Sequence, residues 1–329
     1  MANVRGPRMA RFMTIASAGQ LKPGAHGSRV AGVKKKLLRS WRLYVLFILP
    51  LIYFVVFKYG AITWLLISVK KFNPVAGLWG SEWIGFVNFR NFLNDAYFWK
   101  LVRNTLLLNM GLLVFYFPFP IFLALLINDV RWKFFRKAVQ TISYLPYFMS
   151  TVVVCGLVVS YAASDGPINN ALFALTGARV NFMTNPALFR PIYIISEIWQ
   201  RGGWASIIYL AALSNIDTEM YEAATIDGAN RWHQLIYISL PGIAPVISIQ
   251  LLLTLGHILS VGYEKILLLY SGPTYETADV ISTYLYRRGL VAADYSYGAA
   301  VSLFQAAISL VLIIMANKAA RKIGPASLW

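Results

Sequence analysis

Six stretches of this chain, at roughly 43–69, 101–128, 139–162, 190–213, 241–263 and 297–317, are long and apolar enough to cross a lipid bilayer. Crossing ~30 Å of hydrocarbon takes about 20 residues, and lipid offers no partner to backbone N–H and C=O groups, so each stretch is predicted to be a helix. Hydrophobic residues make up 58% of the 329, charged residues 13%, and the mean hydropathy is +0.59, which excludes an ordinary soluble domain. Lys58 interrupts the first run, and residues 43–57 alone are too short to span, so the helix is expected to continue through it. That lysine would then either snorkel or face a cavity. Pro50, Pro118, Pro120, Pro146 and Pro245 lie in or near these helices and are expected to bend them without abolishing them. The single cysteine, Cys155, permits no intramolecular disulfide and reads as a small buried hydrophobe.

Charge sets the orientation. The first 42 residues carry ten Lys or Arg and no acid, a composition that cannot bury a core and is expected to be a disordered basic cytoplasmic tail. No cleavable signal is expected, because the first apolar run is too long and no small-residue cleavage site follows it. With the N-terminus inside, six crossings return the C-terminus to the cytoplasm, and 18 of the 30 Lys and Arg residues then fall on the inner side. The net charge of +17 follows from this topology, so nucleic acid is not expected as a partner. The chain divides into a tail over 1–42, a first span with an aromatic outer loop over 43–100, a core of five helices over 101–320 and a C-terminal tail over 321–329.

One inner loop breaks the charge rule. Residues 214–240 hold Asp217, Glu219, Glu222 and Asp227 against Arg231 alone. Asp217 is placed to cap a short helix over 218–226, with Glu219 near its positive end. Asp227-Gly228 follows, where the glycine is expected to end that helix and the aspartate to cap the next. Ala223 and Ala224 present little bulk, so a partner's groove could close on the backbone. Pro241 is expected to mark the start of the fifth span, making 217–241 a two-part helical foot joined rigidly to it.

The segment EAATIDGANRWHQLIYISLP resembles the EAA loop of the membrane subunits of ABC importers, with the spacing from Glu222 through Gly228 to Leu240-Pro241 kept without gaps. The resemblance implies that Glu222, Ala223, Ala224, Asp227, Gly228 and Ala229 form a coupling helix that docks on an ATPase subunit. Thr218 departs from it, since many relatives have proline there. Residues 41–329 further resemble the LplB-type oligosaccharide permeases, a branch that includes the alginate importer's membrane subunits. Phe57-Lys58-Tyr59, Gly85-Phe86-Val87-Asn88-Phe89, Gln140 to Pro146, Ser196-Glu197-Ile198-Trp199, Tyr284-Leu285-Tyr286-Arg287 and the terminal Ser327-Leu328-Trp329 carry that likeness. It implies an all-α membrane protein with the MetI-like type I ABC importer fold, in the inner membrane of a prokaryote. It also implies a second permease subunit in a heterodimer, two ABC ATPase subunits, an extracytoplasmic solute-binding protein and a carbohydrate substrate. No G-x-x-x-x-G-K-[ST] is present, so ATP and Mg are expected on the partner ATPase and no cofactor in this chain. No H-E-x-x-H is present either, so neither catalytic residues nor a metal site are expected.

Polar residues inside lipid are expensive and mark helix packing or a pathway. Candidates are Asn104, Asn109, Gln140, Glu197, Gln200, Arg201 and Gln305, of which Glu197 and Arg201 stand four apart and are expected either to pair with each other or to wall a cavity. For a carbohydrate surface the sequence offers Trp199, Gln250, Thr254, His257 and Tyr263, with 250, 254 and 257 on one face of the fifth span. Lys58, Arg201 or Arg287 would suit an acidic oligosaccharide, and neutral glycans stay equally open. The outer loops add aromatics over 70–100 and five tyrosines over 264–296, which read as interfacial belts or as a sugar-stacking mouth. Two alternatives compete. A secondary transporter would show inverted repeats and have no use for the foot; a membrane enzyme would need paired carboxylates or metal ligands at one depth.

Overall fold

The computed structural model describes residues 41–259 and 261–323. The basic tail before Trp41 and the last residues of the C-terminal tail lie outside them. Trp41 and Arg42, expected in the tail, are already helical. The chain forms two compact units, divided between Thr63 and Trp64.

In the first unit, α1 (Trp41–Tyr53) continues into a π-helical segment, Phe54–Tyr59, and a single turn, Gly60–Thr63. No side chain in α1 is buried, and Lys58 is exposed in the π segment. A helix apolar on every side is what lipid as solvent demands.

The second unit is a helical bundle with one short ribbon, Lys70–Lys71 paired antiparallel with Glu82–Trp83, which the all-helical expectation did not include. Its longer helices are α2 (Val87–Leu93), α3 (Phe98–Gly111), α4 (Pro118–Asp129), α5 (Lys133–Tyr144), α6 (Thr151–Ala162), α7 (Pro167–Thr176), α8 (Pro186–Ser214), α9 (Thr218–Ile226), α10 (Arg231–Gln234), α11 (Leu240–Gly256), α12 (Tyr263–Leu269), α13 (Ile281–Leu285) and α14 (Tyr295–Ile323).

Five described segments are long and apolar enough to cross a membrane by length and composition: Trp41–Val69, Phe98–Asp129, Thr151–Thr176, Arg231–Gly256 and Tyr295–Lys318. The sixth predicted crossing, 190–213, is α8. It has 29 residues, about 43 Å of helix, so its length suffices. Glu197, Gln200, Arg201 and the Gly202-Gly203 pair lower its apolarity, and its buried face carries Ser196, Glu197, Gln200 and Ser206. This helix packs against α4, α5 and α11, so its polar face meets protein where an outer helix would meet lipid. A Cβ on Gly203 would overlap the Ser143 carbonyl of α5, and one on Gly202 would overlap the Phe119 ring of α4. Both glycines therefore set the close approach of three helices.

Two predicted boundaries move. The third span, expected over 139–162, is broken: α5 ends at Tyr144, Leu145–Phe148 forms a 3-10 turn around Pro146, and α6 starts afresh with Ser150 accepting a hydrogen bond from Val153 N–H at 3.3 Å. Pro146 breaks this helix where a bend was expected. The fifth span begins at Arg231, ahead of Pro241, and stops at Gly256 instead of 263. It passes Pro241 by a π segment, Leu235–Ser239, in which Leu240 N–H reaches back to the Leu235 carbonyl. The same device, Leu112–Tyr116 with Phe117 N–H on Leu112 O at 2.9 Å, precedes Pro118 between α3 and α4. A widened turn makes room for the proline ring, which would otherwise collide with a carbonyl one turn back.

Candidate functional site

The foot is built locally. Asp217 caps α9 by accepting from Glu219 N–H at 3.0 Å, and Thr218 takes the first helical position, where proline is tolerated. Gly228 closes the helix with φ +80. Its N–H bonds Thr225 O at 3.1 Å and Ala229 N–H bonds Ala224 O at 2.8 Å, the paired bonds of a Schellman motif. Asn230, in place of the expected Asp227, caps α10 by accepting from His233 N–H at 3.0 Å. Asp227 is spent as the C-cap of α9, and the two residues after it are consumed by the turn.

Two contacts brace the foot internally and a third ties it to the bundle. The Tyr221 hydroxyl meets Ser239 Oγ at 2.9 Å, Gln234 Nε2 donates to Thr225 Oγ1 at 2.9 Å, and Arg231 pairs with Asp129 at the end of α4 at 2.8 Å. Because α10, the π segment and α11 run as one helix from Arg231 to Gly256, the foot is continuous with that span. The outer surface of α9 stays uncovered: no residue in it is buried, Glu222 and Ala223 are exposed, and Ile226 is 87% exposed.

Two cavities lie between α3–α4, α8 and α11. The first, about 390 Å³, is lined by Asn109, Tyr193, His257, Glu264 and a buried charge cluster. In that cluster Lys265 Nζ contacts Glu197 Oε1 at 2.9 Å and Gln200 Oε1 at 3.0 Å, while Arg201 Nε lies 3.3 Å from Glu197 Oε2. The expected pairing of Glu197 with Arg201 is present, and Lys265, 3% exposed, is a third member that the sequence did not suggest. Lys265 is held outside the expected spans on α12, so nothing in its neighbours signals that it folds onto α8. The second cavity, about 580 Å³, is lined by Phe117, Trp204, Tyr209 and Gln250 among others, and no charged side chain faces it. Tyr116 and Thr254 line both.

The residues proposed for a carbohydrate surface therefore separate. Gln250 lines the second cavity, Thr254 both and His257 the first, where it terminates α11. Tyr263 starts α12 and stacks on Tyr286 at 5.1 Å, and Trp199 is a half-exposed residue of α8; neither lines these two cavities. Their separation follows from α11 stopping at Gly256, so helical spacing no longer places 257 and 263 over 250. Arg287 lines neither of these two cavities, and Asp279 binds it through both carboxylate oxygens at 2.9 and 2.8 Å. Asn104 donates to Glu276 O and Asp279 O, and Gln305 to Leu259 O, so both stitch the bundle. Among the described residues no group of three or more His, Cys, Asp or Glu side chains is arranged to hold a metal ion.

A lipid-facing bundle with a rigid external foot and internal cavities defines a membrane transport component. The chain belongs to the family described as binding-protein-dependent transport system inner membrane component, whose model matches residues 116–325. It is 40% identical over 295 residues to the polygalacturonan/rhamnogalacturonan transport system permease protein YteP of Bacillus subtilis, covering 89% of this chain and 92% of that protein. It is also 40% identical over 287 residues to protein LplB of the same organism, with 87% and 90% covered. A crystal structure of a bacterial ABC transporter that imports the acidic polysaccharide alginate contains a chain 45% identical, superposing with a TM-score of 0.81 over 88% of this chain and 99% of that one. A bacterial alginate ABC transporter in complex with an alginate pentasaccharide-bound periplasmic protein contains a chain 44% identical, with a TM-score of 0.82 over 89% of this chain and 99% of that one. The LplB-type permease resemblance thus stands, and the secondary-transporter alternative gives way to it.

Proposed function

We propose that this chain forms part of the translocation pathway of an ATP-driven oligosaccharide importer and takes its drive through the foot at Glu222, Ala223, Ala224, Asp227, Gly228 and Ala229. The observation that carries the reading is the foot itself: a capped, hydrogen-bonded knob with an uncovered outer face, continuous with a membrane-crossing helix. Two ATPase subunits bind ATP and Mg and grip one foot each, one on this chain and one on a second permease subunit. Closing the ATPases moves the feet together and rocks the bundle between inward- and outward-facing states. A solute-binding protein delivers the saccharide on the opposite side, so the foot and both termini lie in the cytoplasm. No covalent chemistry on the sugar is required of this chain.

The relatives' substrates support an oligosaccharide rich in uronic acid residues. Arg201 suits such a substrate: it meets Glu197 through Nε and leaves half of its side chain exposed at the first cavity. The test is uptake into proteoliposomes carrying this chain, its partner permease, the ATPases and the binding protein, with labelled oligouronates and neutral oligosaccharides compared. Uptake of oligouronate that depends on ATP and binding protein supports the reading. Uptake without ATP would overturn the coupling, and preference for the neutral sugar would overturn the substrate class.

A further inference from the structure

Three helices pass both cavities in the same order. On α3–α4, Asn109 lines the first cavity and Pro120 the second; on α8, Glu197 and Arg201 precede Trp204; on antiparallel α11, Gln250 comes before His257. The cavities are therefore stacked along the bundle axis, and the second is nearer the foot, since α11 rises from it. Among the described residues only Tyr116 and Thr254 line both. The chambers differ in chemistry, one charged and the other aromatic with a single amide. Tyr116 and Thr254 form the wall that the two chambers share.

Tyr116 is unusual in its backbone as well. It is the last residue of the π segment Leu112–Tyr116, two positions before Pro118. A π turn inside an α-helix often marks a functional position. The phenol is half-buried, and its hydroxyl makes no hydrogen bond to the described residues, whereas Thr254 Oγ1 is tied to Gln250 O at 2.8 Å. Of the two boundary residues, Tyr116 is the one with a side chain free to swing and a flat face for a pyranose ring.

Resting on the transport reading above, we propose that Tyr116, set against Thr254, is an internal gate of the pathway: its ring separates the charged chamber from the aromatic one and stacks on each sugar that passes. The test uses the assembled transporter in proteoliposomes, on a Cys155→Ser background, with Asn109→Cys or Gln250→Cys labelled by a membrane-impermeant thiol reagent from the foot side. With Tyr116 present, Gln250→Cys reacts readily and Asn109→Cys at least about tenfold more slowly; Tyr116→Ala removes that difference, while Tyr116→Phe keeps it. Tyr116→Ala also lowers uptake about tenfold while binding-protein-stimulated ATP hydrolysis continues. Tyr116→Leu, which keeps most of the volume but not the flat face, serves if the alanine variant fails to assemble: protection of Asn109→Cys with impaired uptake supports the gate. Unchanged Asn109→Cys labelling in Tyr116→Ala, or in Tyr116→Leu full uptake or loss of that protection, overturns it. Uptake by the unsubstituted transporter, read in the same vesicles, keeps the two claims apart, because its failure counts against the transport reading alone.

Discussion

Gly228 occupies a left-handed conformation at φ +80 with open space around the position of a Cβ, so a substitution there is opposed by backbone strain and not by crowding. Valine should cost about 1–2 kcal/mol at that turn, and asparagine, which tolerates the conformation, clearly less. The expected outcome for Gly228→Val is ATP hydrolysis no longer matched to uptake, measured as sugar imported per ATP, with Gly228→Asn close to the unsubstituted protein. Glu197 and Lys265 make the opposite case, where the partner matters more than the backbone. Lys265→Met leaves Glu197 buried against Arg201 alone and should cost about 3–5 kcal/mol, whereas adding Glu197→Gln should restore much of the loss. Thermal unfolding of the single and double variants in detergent gives the coupling directly; additive losses would show that the two groups do not act as a pair. The glycine was legible in the sequence because turn chemistry is local. Lys265 was not, because its partners lie 65 and 68 positions away on another helix.

At the scale of elements, capping and proline chemistry decided more than hydrophobicity did. The run 139–162 reads as one span, yet Pro146 and Ser150 divide it; the run at 241 reads as a start, yet the helix enters from Arg231 by a π turn. A proline announces a break or a bulge, but only packing selects which. Asp95, just ahead of α3, is held instead by groups far along the chain. Burial works against ionisation of Asp95, but the Tyr284 hydroxyl, the Tyr97 N–H, the Tyr297 hydroxyl and Arg288 outweigh it and hold the carboxyl below its ordinary value. A carboxyl whose folded value is depressed contributes stability that is present above the unfolded value and is lost as pH falls through the folded one. Melting temperature should therefore drop from about pH 4 downward in the unsubstituted protein. Asp95→Asn should melt lower at neutral pH, with the gap between the two narrowing as pH falls; a gap constant with pH would remove this account.

For the whole molecule, orientation is the property on which the mechanism depends. Ile226 is the most exposed large apolar residue of the foot, and on the Cys155→Ser background Ile226→Cys reports which side it faces. An impermeant thiol reagent should label it in inverted vesicles, not in right-side-out ones, and assembly with the ATPases should protect it. Labelling from the outside would reverse the topology, and labelling undiminished by the ATPases would sink the docking role of the foot.

Taken by itself, the amino-acid sequence determined the helical class, the membrane as solvent, the near-complete set of spans and the position and closure of the foot. Each of these depends on interactions that reach no further than a turn or two, such as an apolar run's length, a cap or a glycine at positive φ. Tertiary structure alone decided which polar residues meet, Lys265 with Glu197 and Arg288 with Asp95, and that Tyr116 and Thr254 border both chambers. Those pairings join segments far apart in the chain, and helix packing, which no local pattern encodes, selects them.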